Sequence, residues 1–307
     1  MSPVHRRALS VAVHPDTSVT STVTLGVDIG GTKTRVALVD EFASIVAIDE
    51  TPTGGVPSAD PGLRVSYDIA ARMAARAGSS GLDLRGVGVG VPEFVEPDGR
   101  LHSALVIAWD QQPRELFAEL GPTVVESDVR CGAIAECQLG AGRGLTSMLY
   151  VSVGTGISCA LVIDGQPWSG HRGEAISLGE FPVDRSADRQ STSTLEEFAS
   201  GGAMGRRYGG VVGARDVMRL AAAGDKRARA IVESSASAIG SALSWAVSMV
   251  DPQMVVLGGG MGSSGGEWFD RVRDRYRSLG SPGIPDIVTA QLGADSGVIG
   301  AALVARA

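Results

Sequence analysis

Near the start of the chain, an aspartate precedes a glycine-rich turn that is suited to binding phosphate. Apolar, β-branched residues flank the segment Asp28–Thr34 on both sides, which predicts a strand, a turn and a returning strand. Glycines let backbone N–H groups approach an anion closely, and a carboxylate at a strand end suits a hydrated Mg²⁺ ion. Asp28 is therefore predicted to hold Mg²⁺ through water, and the predicted phosphate-binding residues are Gly30, Gly31, Thr32, Lys33 and Thr34.

This first segment matches neither of two common nucleotide-binding motifs. It lacks the G-x-x-x-x-G-K-[ST] pattern of a P-loop and the G-x-G-x-x-G pattern of a dinucleotide site, and no helix follows its glycines. Taken alone, it could equally be an ordinary Gly-Gly hairpin. The phosphate interpretation therefore depends on the rest of the chain.

Two further glycine segments each follow an apolar strand. The strand predicted at 148–153 leads into Gly154, Thr155 and Gly156 and a returning strand at 157–163, so this hairpin echoes the first one. The strand predicted at 254–257 leads into Gly258, Gly259 and Gly260. Between these strands the pattern predicts helices, among them 129–139 and the long amphipathic segment 228–250. The simplest architecture that fits these elements is two α/β halves, each beginning with a hairpin, with a cleft between them.

Composition excludes several classes of protein. The chain has 307 residues, 44% of them hydrophobic, and a formal net charge of −7, which argues against a general nucleic-acid-binding surface. No apolar run reaches the roughly 18 residues that span a membrane. Three cysteines without a C-x-x-C pair indicate a reducing, cytoplasmic setting. Residues 1–22 are predicted to form a flexible tail.

Three motifs in this order and spacing resemble the sugar kinase, Hsp70 and actin superfamily. They are the segment Asp28–Thr34, the segment Val153–Gly156 and the segment Val255–Gly260, which resemble its two phosphate segments and its adenosine segment. Within that superfamily, Gly88–Pro92 and Glu126–Asp128 are similar to the ROK family of hexose kinases and sugar-responsive repressors. The resemblance runs from about Val23 to the C-terminus.

The resemblance implies a two-lobed actin-like ATPase fold, of the ribonuclease H-like α/β class, with the ligand cleft between lobes. It implies a smaller lobe over 23–125, a larger lobe over 126–292, and a C-terminal helix at 293–307 that packs back on the first lobe. ATP and Mg²⁺ would bind in the cleft with a small-molecule polyol, and a homodimer is expected because dimers are common in the family. No nucleic-acid or membrane partner is expected.

Asp128 matches the family's catalytic base, which accepts the proton of the attacking hydroxyl. Phosphoryl transfer depends mainly on positioning and charge stabilisation, so a carboxylate beside the nucleophile suits this role. Because the N-terminal end of a helix favours an anion, Asp128 is expected to stay ionised at pH 7. The alternative interpretation is a simple helix N-cap.

The chain departs from the family pattern at several sugar-contacting positions. Ser127 replaces the usual Asn before the base, Leu105 stands where an Asn contacts the sugar, and Ser177 and Glu180 stand where Glu and His are expected. Glu174 is the alternative carboxylate if the loop alignment shifts. The predicted substrate-binding residues are Pro92, Leu105, Trp109, Ser127, Asp128, Glu174, Ser177 and Glu180. The zinc-binding His and cysteines of the family are missing together, so no structural zinc is expected.

The sequence thus predicts an ATP- and Mg²⁺-dependent phosphotransferase that acts on a hydroxyl of a sugar-like polyol. The altered contacts favour a non-glucose acceptor, either a C7-cyclitol of the valiolone type or an amino sugar, in secondary metabolism. The alternatives are a glucokinase or other hexose kinase, and a non-catalytic sugar sensor. A DNA-binding repressor is not expected, because only 22 residues precede the first strand whereas a helix-turn-helix module needs roughly 60–80.

Overall fold

The structure is a computed structural model that describes residues 21–31, 33–53, 60, 63–101, 103–104, 107, 109–183, 194–210 and 212–306. Two of the predicted site residues, Thr32 and Leu105, lie outside the described residues. The same is true of residues 1–20, which make up most of the predicted tail.

The first half of the chain builds one mixed sheet. Its elements are β1 (Thr22–Ile29), β2 (Lys33–Asp40), β3 (Ile45–Pro52), α1 (Arg64–Ser79), β4 (Asp83–Val91), α2 (Pro113–Phe117) and β5 (Thr123–Ser127). The strand order is β3-β2-β1-β4-β5, in which the first three strands are antiparallel and β1, β4 and β5 run parallel. The carboxyl ends of β1, β4 and β5 therefore meet at one edge of the sheet.

The second half builds a sheet of the same topology. Its elements are α3 (Asp128–Leu139), β6 (Ser147–Val153), β7 (Ile157–Ile163), β8 (Gln166–Trp168), α4 (Leu195–Ala199), α5 (Gly201–Tyr208), α6 (Ala214–Ala222), α7 (Lys226–Val250), β9 (Met254–Gly258), α8 (Gly259–Gly262), α9 (Gly266–Leu279) and β10 (Asp286–Thr289). The strand order β10-β9-β6-β7-β8 repeats the first sheet when β6 is placed on β1. Each sheet carries its own apolar core.

The last helix, α10 (Ser296–Val304), packs back on the first sheet, with α3 on its other side. Gly26 on β1 and Gly88 on β4 are paired in register, and a Cβ atom at either one would overlap a carbonyl oxygen of α10. Gly300 of α10 lies equally close to the carbonyl of Cys131 on α3. Glycine at these points lets two helix backbones fit between the two sheets.

The structure differs from the predicted elements mainly between residues 164 and 222. Strand β8 was missed because it has only three residues, directly after the turn at Asp164 and Gly165. Helix α5 was missed because it contains three glycines, which disfavour helix; here the Ser200 side chain accepts a hydrogen bond from Ala203 N at 3.1 Å and caps it. Helix α6 was also missed.

The apolar residues of the long helix α7 belong to the core of the second half. Ile231, Ile239, Leu243 and Val247 are all buried there. Within the part of the chain that the structure describes, no helix is both long enough and apolar enough to cross a membrane.

Candidate active site

A cavity of about 280 Å³ opens at the edge where the carboxyl ends of the parallel strands meet. Asp28 at the end of β1 and Asp128 at the start of α3 line one side of it, and Gly259 and Gly260 after β9 line another. The remaining wall comes from α3, β6, α8 and the turn before α10. These further residues are Val129, Gly132, Tyr150, Ser152, Ser263, Gly293, Ala294, Ser296 and Gly297.

Asp28 lies where β1 meets the N-terminal turn of α10. A Cβ atom at Gly297 would be only 2.6 Å from Asp28 Oδ2, so glycine is required for the carboxylate to rest against this helix end. Burial raises the pKa of Asp28 to about 6, and the charges of Arg35 and Lys33 oppose that rise. An ionised Asp28 that faces the cavity suits a hydrated divalent cation.

Asp128 is the second carboxylate at the cavity. Burial and, next, the negative charge of Asp28 raise its pKa to about 7, and the N–H of Val129, 2.6 Å from Asp128 Oδ1, acts in the opposite direction. The expectation that Asp128 stays ionised at pH 7 considered only the helix end, whereas burial and the charge of Asp28 act against ionisation. The helix end does favour the anion, but loss of water and the neighbouring carboxylate outweigh it.

The second and third glycine segments meet at the far side of the cavity. A Cβ atom at Gly259, whose φ is +75°, would lie 2.6 Å from the carbonyl oxygen of Val153, so the chain can turn here only with glycine. A Cβ atom at Gly154 would lie 3.7 Å from Gly260 N, which places the two segments side by side. Gly258 accommodates the ring of Tyr150.

The turn between β6 and β7 is held from behind by α5. Gly201 N donates to Gly154 O at 2.8 Å, and Gly202 N donates to Thr155 O at 3.1 Å. Gly156 lies against the carboxylate of Glu196, which accepts the Ile157 N–H at 2.7 Å. The turn is thus rigidly placed next to the cavity, although it does not line it.

The first hairpin turn follows Asp28 along the chain, and its described residues do not line the cavity. Gly30 N donates to Lys33 O at 2.9 Å and closes the turn that contains Gly31. Lys33 is exposed and its Nζ is 3.3 Å from Glu50, whereas Thr34 is fully buried with its hydroxyl 3.0 Å from that of Ser66. The phosphate-binding roles of these residues stay predictions, and the Thr34 hydroxyl is already engaged.

Among the predicted acceptor residues that the structure describes, Asp128 alone lines the cavity. Pro92 directly follows β4, and Ser127 is buried as the last residue of β5. Trp109 packs against the core of the first sheet, and its buried Nε1 has no hydrogen-bond partner among the described residues. In the second-half loop, Ser177 Oγ donates to Glu174 O at 3.0 Å. Glu180 ends a 3₁₀ turn, Leu178–Glu180, and is exposed.

Comparison with known proteins decides the family. The family model described as "ROK family" matches residues 24–307. The chain belongs to the ROK family. It is 29% identical over 308 residues to a glucokinase of Halalkalibacterium halodurans, covering 90% of this chain and 92% of that one. It is 32% identical over 257 residues to a kanosamine kinase of Amycolatopsis mediterranei, covering 77% and 80%.

A solved structure agrees with this assignment. The ROK family glucokinase of Streptomyces griseus, in complex with glucose and AMPPNP, superimposes with a TM-score of 0.77 at 27% identity, covering 92% of this chain and 99% of that one. The predicted ROK resemblance and the two-lobed actin-like ATPase fold are therefore confirmed. The relatives named here are carbohydrate kinases.

A buried arginine of this ROK protein, missed at the sequence level, joins the loops next to Asp128. Arg130 donates to Val95 O at 2.7 Å, to Gly173 O at 3.0 Å and to Glu126 Oε1 at 2.6 Å. It therefore ties the loop after β4 to the loop that carries Glu174. The spacing of four from Glu126 was the visible signal, but the two backbone acceptors leave no trace in sequence.

Other cavity residues of the ROK protein were missed for simpler reasons. Tyr150 and Ser152 alternate along β6, so they share the strand face that points toward the cavity. Ser296 and Gly297 open α10, which was predicted as a helix but not as a cavity wall. Among the described residues no cluster of three or more His, Cys, Asp and Glu side chains could hold a metal ion. The zinc expectation stays a prediction.

Proposed function

We propose that this ROK protein is an ATP- and Mg²⁺-dependent kinase that phosphorylates a hydroxyl of a sugar-like polyol. The observation that carries the proposal is the pair of carboxylates, Asp28 and Asp128, that line one cavity together with the backbone of Gly259 and Gly260. In such a cavity, backbone N–H groups can bind an anion. One carboxylate can bind a cation through water, and the other can accept a proton. The carbohydrate-kinase names of its relatives agree with this chemistry.

The residues fit the nucleotide and metal that the family implies. The glycine walls at 259–260 leave room beside Asp28, and the first turn of α10 directs backbone N–H groups at the cavity edge, where phosphate is favoured. Asp28 would hold Mg²⁺ through water, and the segments 30–34, 154–156 and 258–260 would hold the nucleotide. When bound, Mg-ATP supplies the phosphoryl group and neutralises the charge that develops on it.

Asp128 acts on the acceptor. Its carboxylate takes the proton of the acceptor hydroxyl as the new O–P bond forms and the bond between the γ-phosphoryl group and ADP, the leaving group, breaks. The raised pKa, about 7, makes it a better base than an ordinary carboxylate. The positive end of α3 and the Val129 N–H keep the carboxylate in place. Arg130 holds the surrounding loops in position.

We infer that the acceptor is a C7-cyclitol or an amino sugar rather than glucose. Ser127 and Ser177 present short hydroxyl groups where longer polar groups are usual, and the exposed Glu180 stands at a usual His position. Because an unpaired buried polar group costs about 1–3 kcal/mol, such changes alter which hydroxyls or amines a site accepts. The similarity to a kanosamine kinase supports the amino-sugar branch.

The test is an ADP-release assay with Mg-ATP against glucose, N-acetylated hexoses, amino hexoses and C7-cyclitols. Turnover restricted to a cyclitol or amino sugar supports the full proposal. Low-KM turnover of glucose would establish the glucokinase alternative, which the 29% identity to a glucokinase over 90% of the chain favours. Bound ATP without turnover of any acceptor would overturn the kinase proposal in favour of a sensor.

A further inference from the structure

Glu93 is a buried carboxylate that the proposed mechanism has not used. It follows Pro92 at the end of β4 and is only 4% exposed. An ionised carboxylate is rarely buried unless it accepts hydrogen bonds. Glu93 Oε1 accepts the backbone N–H of Ile107 at 2.8 Å, and Oε2 accepts the hydroxyl of Ser103 at 2.5 Å.

Both donors belong to a set of described residues, Ser103, Ala104, Ile107 and Trp109, which we call the acceptor wall because the sequence in this region stands where family members contact the sugar. The same Ser103 hydroxyl accepts the N–H of Phe94 at 2.9 Å, so Glu93 and the next residue are both tied to the wall. Val95, one residue further, is held by Arg130. The segment after β4 is thus fixed on one side by the acceptor wall and on the other by α3.

Glu93 also lies within electrostatic reach of Asp128. Burial is the main cause of the raised Asp128 pKa, Asp28 is the next to raise it, and the charge of Glu93 adds to both. One side chain therefore contacts the acceptor wall and influences the base.

We propose that Glu93 is a positioning residue that holds the acceptor wall against the end of β4, beside Asp128. This inference rests on the proposed function, because the wall has a role in catalysis only if the acceptor binds there. Its hydrogen bonds set where the acceptor hydroxyl lies relative to Asp128. Its charge adds a smaller contribution to the raised pKa of Asp128, which burial and Asp28 raise more and Val129 N–H and Arg130 lower.

The kinetic test compares Glu93→Ala and Glu93→Gln with wild type, and uses Glu115→Ala, an exposed glutamate of α2, as the matched control. The alanine variant should raise the acceptor KM about 10- to 100-fold with little change in the ATP KM, because a small misplacement of the acceptor is costly. Glutamine can accept from Ile107 N and donate to the Ser103 oxygen, so its acceptor KM should stay near wild type.

The pH dependence of kcat/KM is a second measurement on the glutamine variant. It should stay unchanged if the role of Glu93 is purely structural. Removal of the negative charge beside Asp128 favours its ionised form, so the acid limb of the kcat/KM profile should move to lower pH by a few tenths of a unit. An unmoved limb, or a glutamine variant as poor in acceptor KM as the alanine variant, would overturn the proposal. This readout remains decisive if the alanine variant fails to fold.

Amide hydrogen exchange separates failure of this inference from failure of the proposed function. The peptide that spans residues 101–109 should exchange faster in Glu93→Ala than in wild type, Glu93→Gln or Glu115→Ala, because the Ile107 N–H loses its acceptor. Unchanged exchange in the alanine variant would overturn the proposed restraint. A wild-type protein that phosphorylates no acceptor would refute the kinase proposal. The exchange result would still show whether Glu93 restrains the peptide at residues 101–109.

Discussion

At the scale of single residues, Asp128 is both the proposed catalytic base and a residue that lines the cavity. Its carboxylate shares the cavity with Asp28, and the Val129 N–H fixes one of its oxygens. Replacement by asparagine keeps the shape but removes the ability to take a proton. Asp128→Asn should lower kcat by about 10²–10⁴-fold, the usual contribution of general-base catalysis, with nucleotide affinity nearly unchanged.

Steady-state kinetics and a nucleotide titration check this prediction. Asp274→Asn, at an exposed aspartate of α9, is the matched control and should behave like wild type. Turnover at the wild-type rate in Asp128→Asn would remove Asp128 from its role as base.

The raised pKa of Asp128 predicts a specific pH dependence. A base works in its ionised form, so kcat/KM should be full above the pKa and fall about tenfold per pH unit below about pH 7. The Asp128→Asn variant should lack this limb. A wild-type limb near pH 4, where an ordinary aspartate titrates, would show that burial does not control the group.

The same raised pKa predicts that stability falls as pH rises, whereas activity increases. Burial raises the folded-state pKa from 3.8 to about 7, so between these values the folded protein binds a proton that the unfolded chain releases. Stability from this group is therefore present in full below about pH 3.8, falls progressively as the pH rises, and is fully lost above about pH 7. Asp128→Asn should be more stable than wild type at pH 8, on the order of 1 kcal/mol after allowance for partial exposure.

Thermal unfolding at pH 5 and pH 8 measures this difference. The advantage of the asparagine variant should be smaller at pH 5 than at pH 8, because pH 5 lies only a little above the pKa of 3.8 in the unfolded chain. An advantage that is equal at both pH values would mean that charge is not its cause.

Sequence patterns could indicate only part of the site. Asp28, Asp128, Gly259 and Gly260 were all predicted, since each stands in a motif at the end of a strand. Arg130 and Glu93 were not, because their partners are backbone groups and a hydroxyl on loops that have no pattern of their own. Which loops meet in space depends on the fold, and the spacing of residues along the sequence does not show it.

At the scale of elements, the two hairpins and the long helix were predictable and the short elements were not. β1, β2, β6 and β7 have strong apolar β-branched patterns, and α7 has a long 3.6-residue period. The helices α5 and α6 depend on packing against α7 and on one serine cap, which override weak propensity. The same topology in both sheets could be seen only once β8 was placed.

Gly88 tests whether close packing of α10 on the first sheet is required. A side chain there would overlap the Ala301 carbonyl, which belongs to a helix backbone that cannot move alone. Gly88→Ala should lower the free energy of unfolding by about 1–3 kcal/mol, the usual cost of overpacking. Gly78→Ala in α1, where a Cβ meets nothing within 4 Å, should be neutral or stabilising. Equal melting temperatures for the two variants would contradict this account.

At the scale of the whole molecule, the chain passes between the two sheets at two places. It leaves the first sheet where β5 ends at Ser127 and α3 begins, and it returns after β10 through the turn that leads into α10. We propose that these passages divide the lobes predicted at 23–125 and 126–292. Both passages border the cavity, so the relative position of the lobes and the shape of the site are set by the same few residues.

Glu136 joins the second passage to α3 and is fully buried. Its Oε1 accepts the Leu292 N–H at 2.7 Å, and its Oε2 accepts those of Gln291 and Ala141 at 3.1 and 2.9 Å. Glu136→Ala would strand these N–H groups, each at a cost of about 1–3 kcal/mol unless water replaces the carboxylate. Residues 293–297, just beyond, line the cavity, so nucleotide affinity should fall together with stability.

Thermal unfolding and an AMPPNP titration of Glu136→Ala, Glu136→Gln and the exposed control Glu41→Ala measure both effects. Glutamine keeps one acceptor oxygen, so it should lie between alanine and wild type in both melting temperature and nucleotide Kd. If Glu136 only stabilised α3, the melting temperature would fall while the nucleotide Kd stayed at the wild-type value. A parallel loss in both would mean that the joint between the lobes, and not the strand ends alone, holds the nucleotide wall in place.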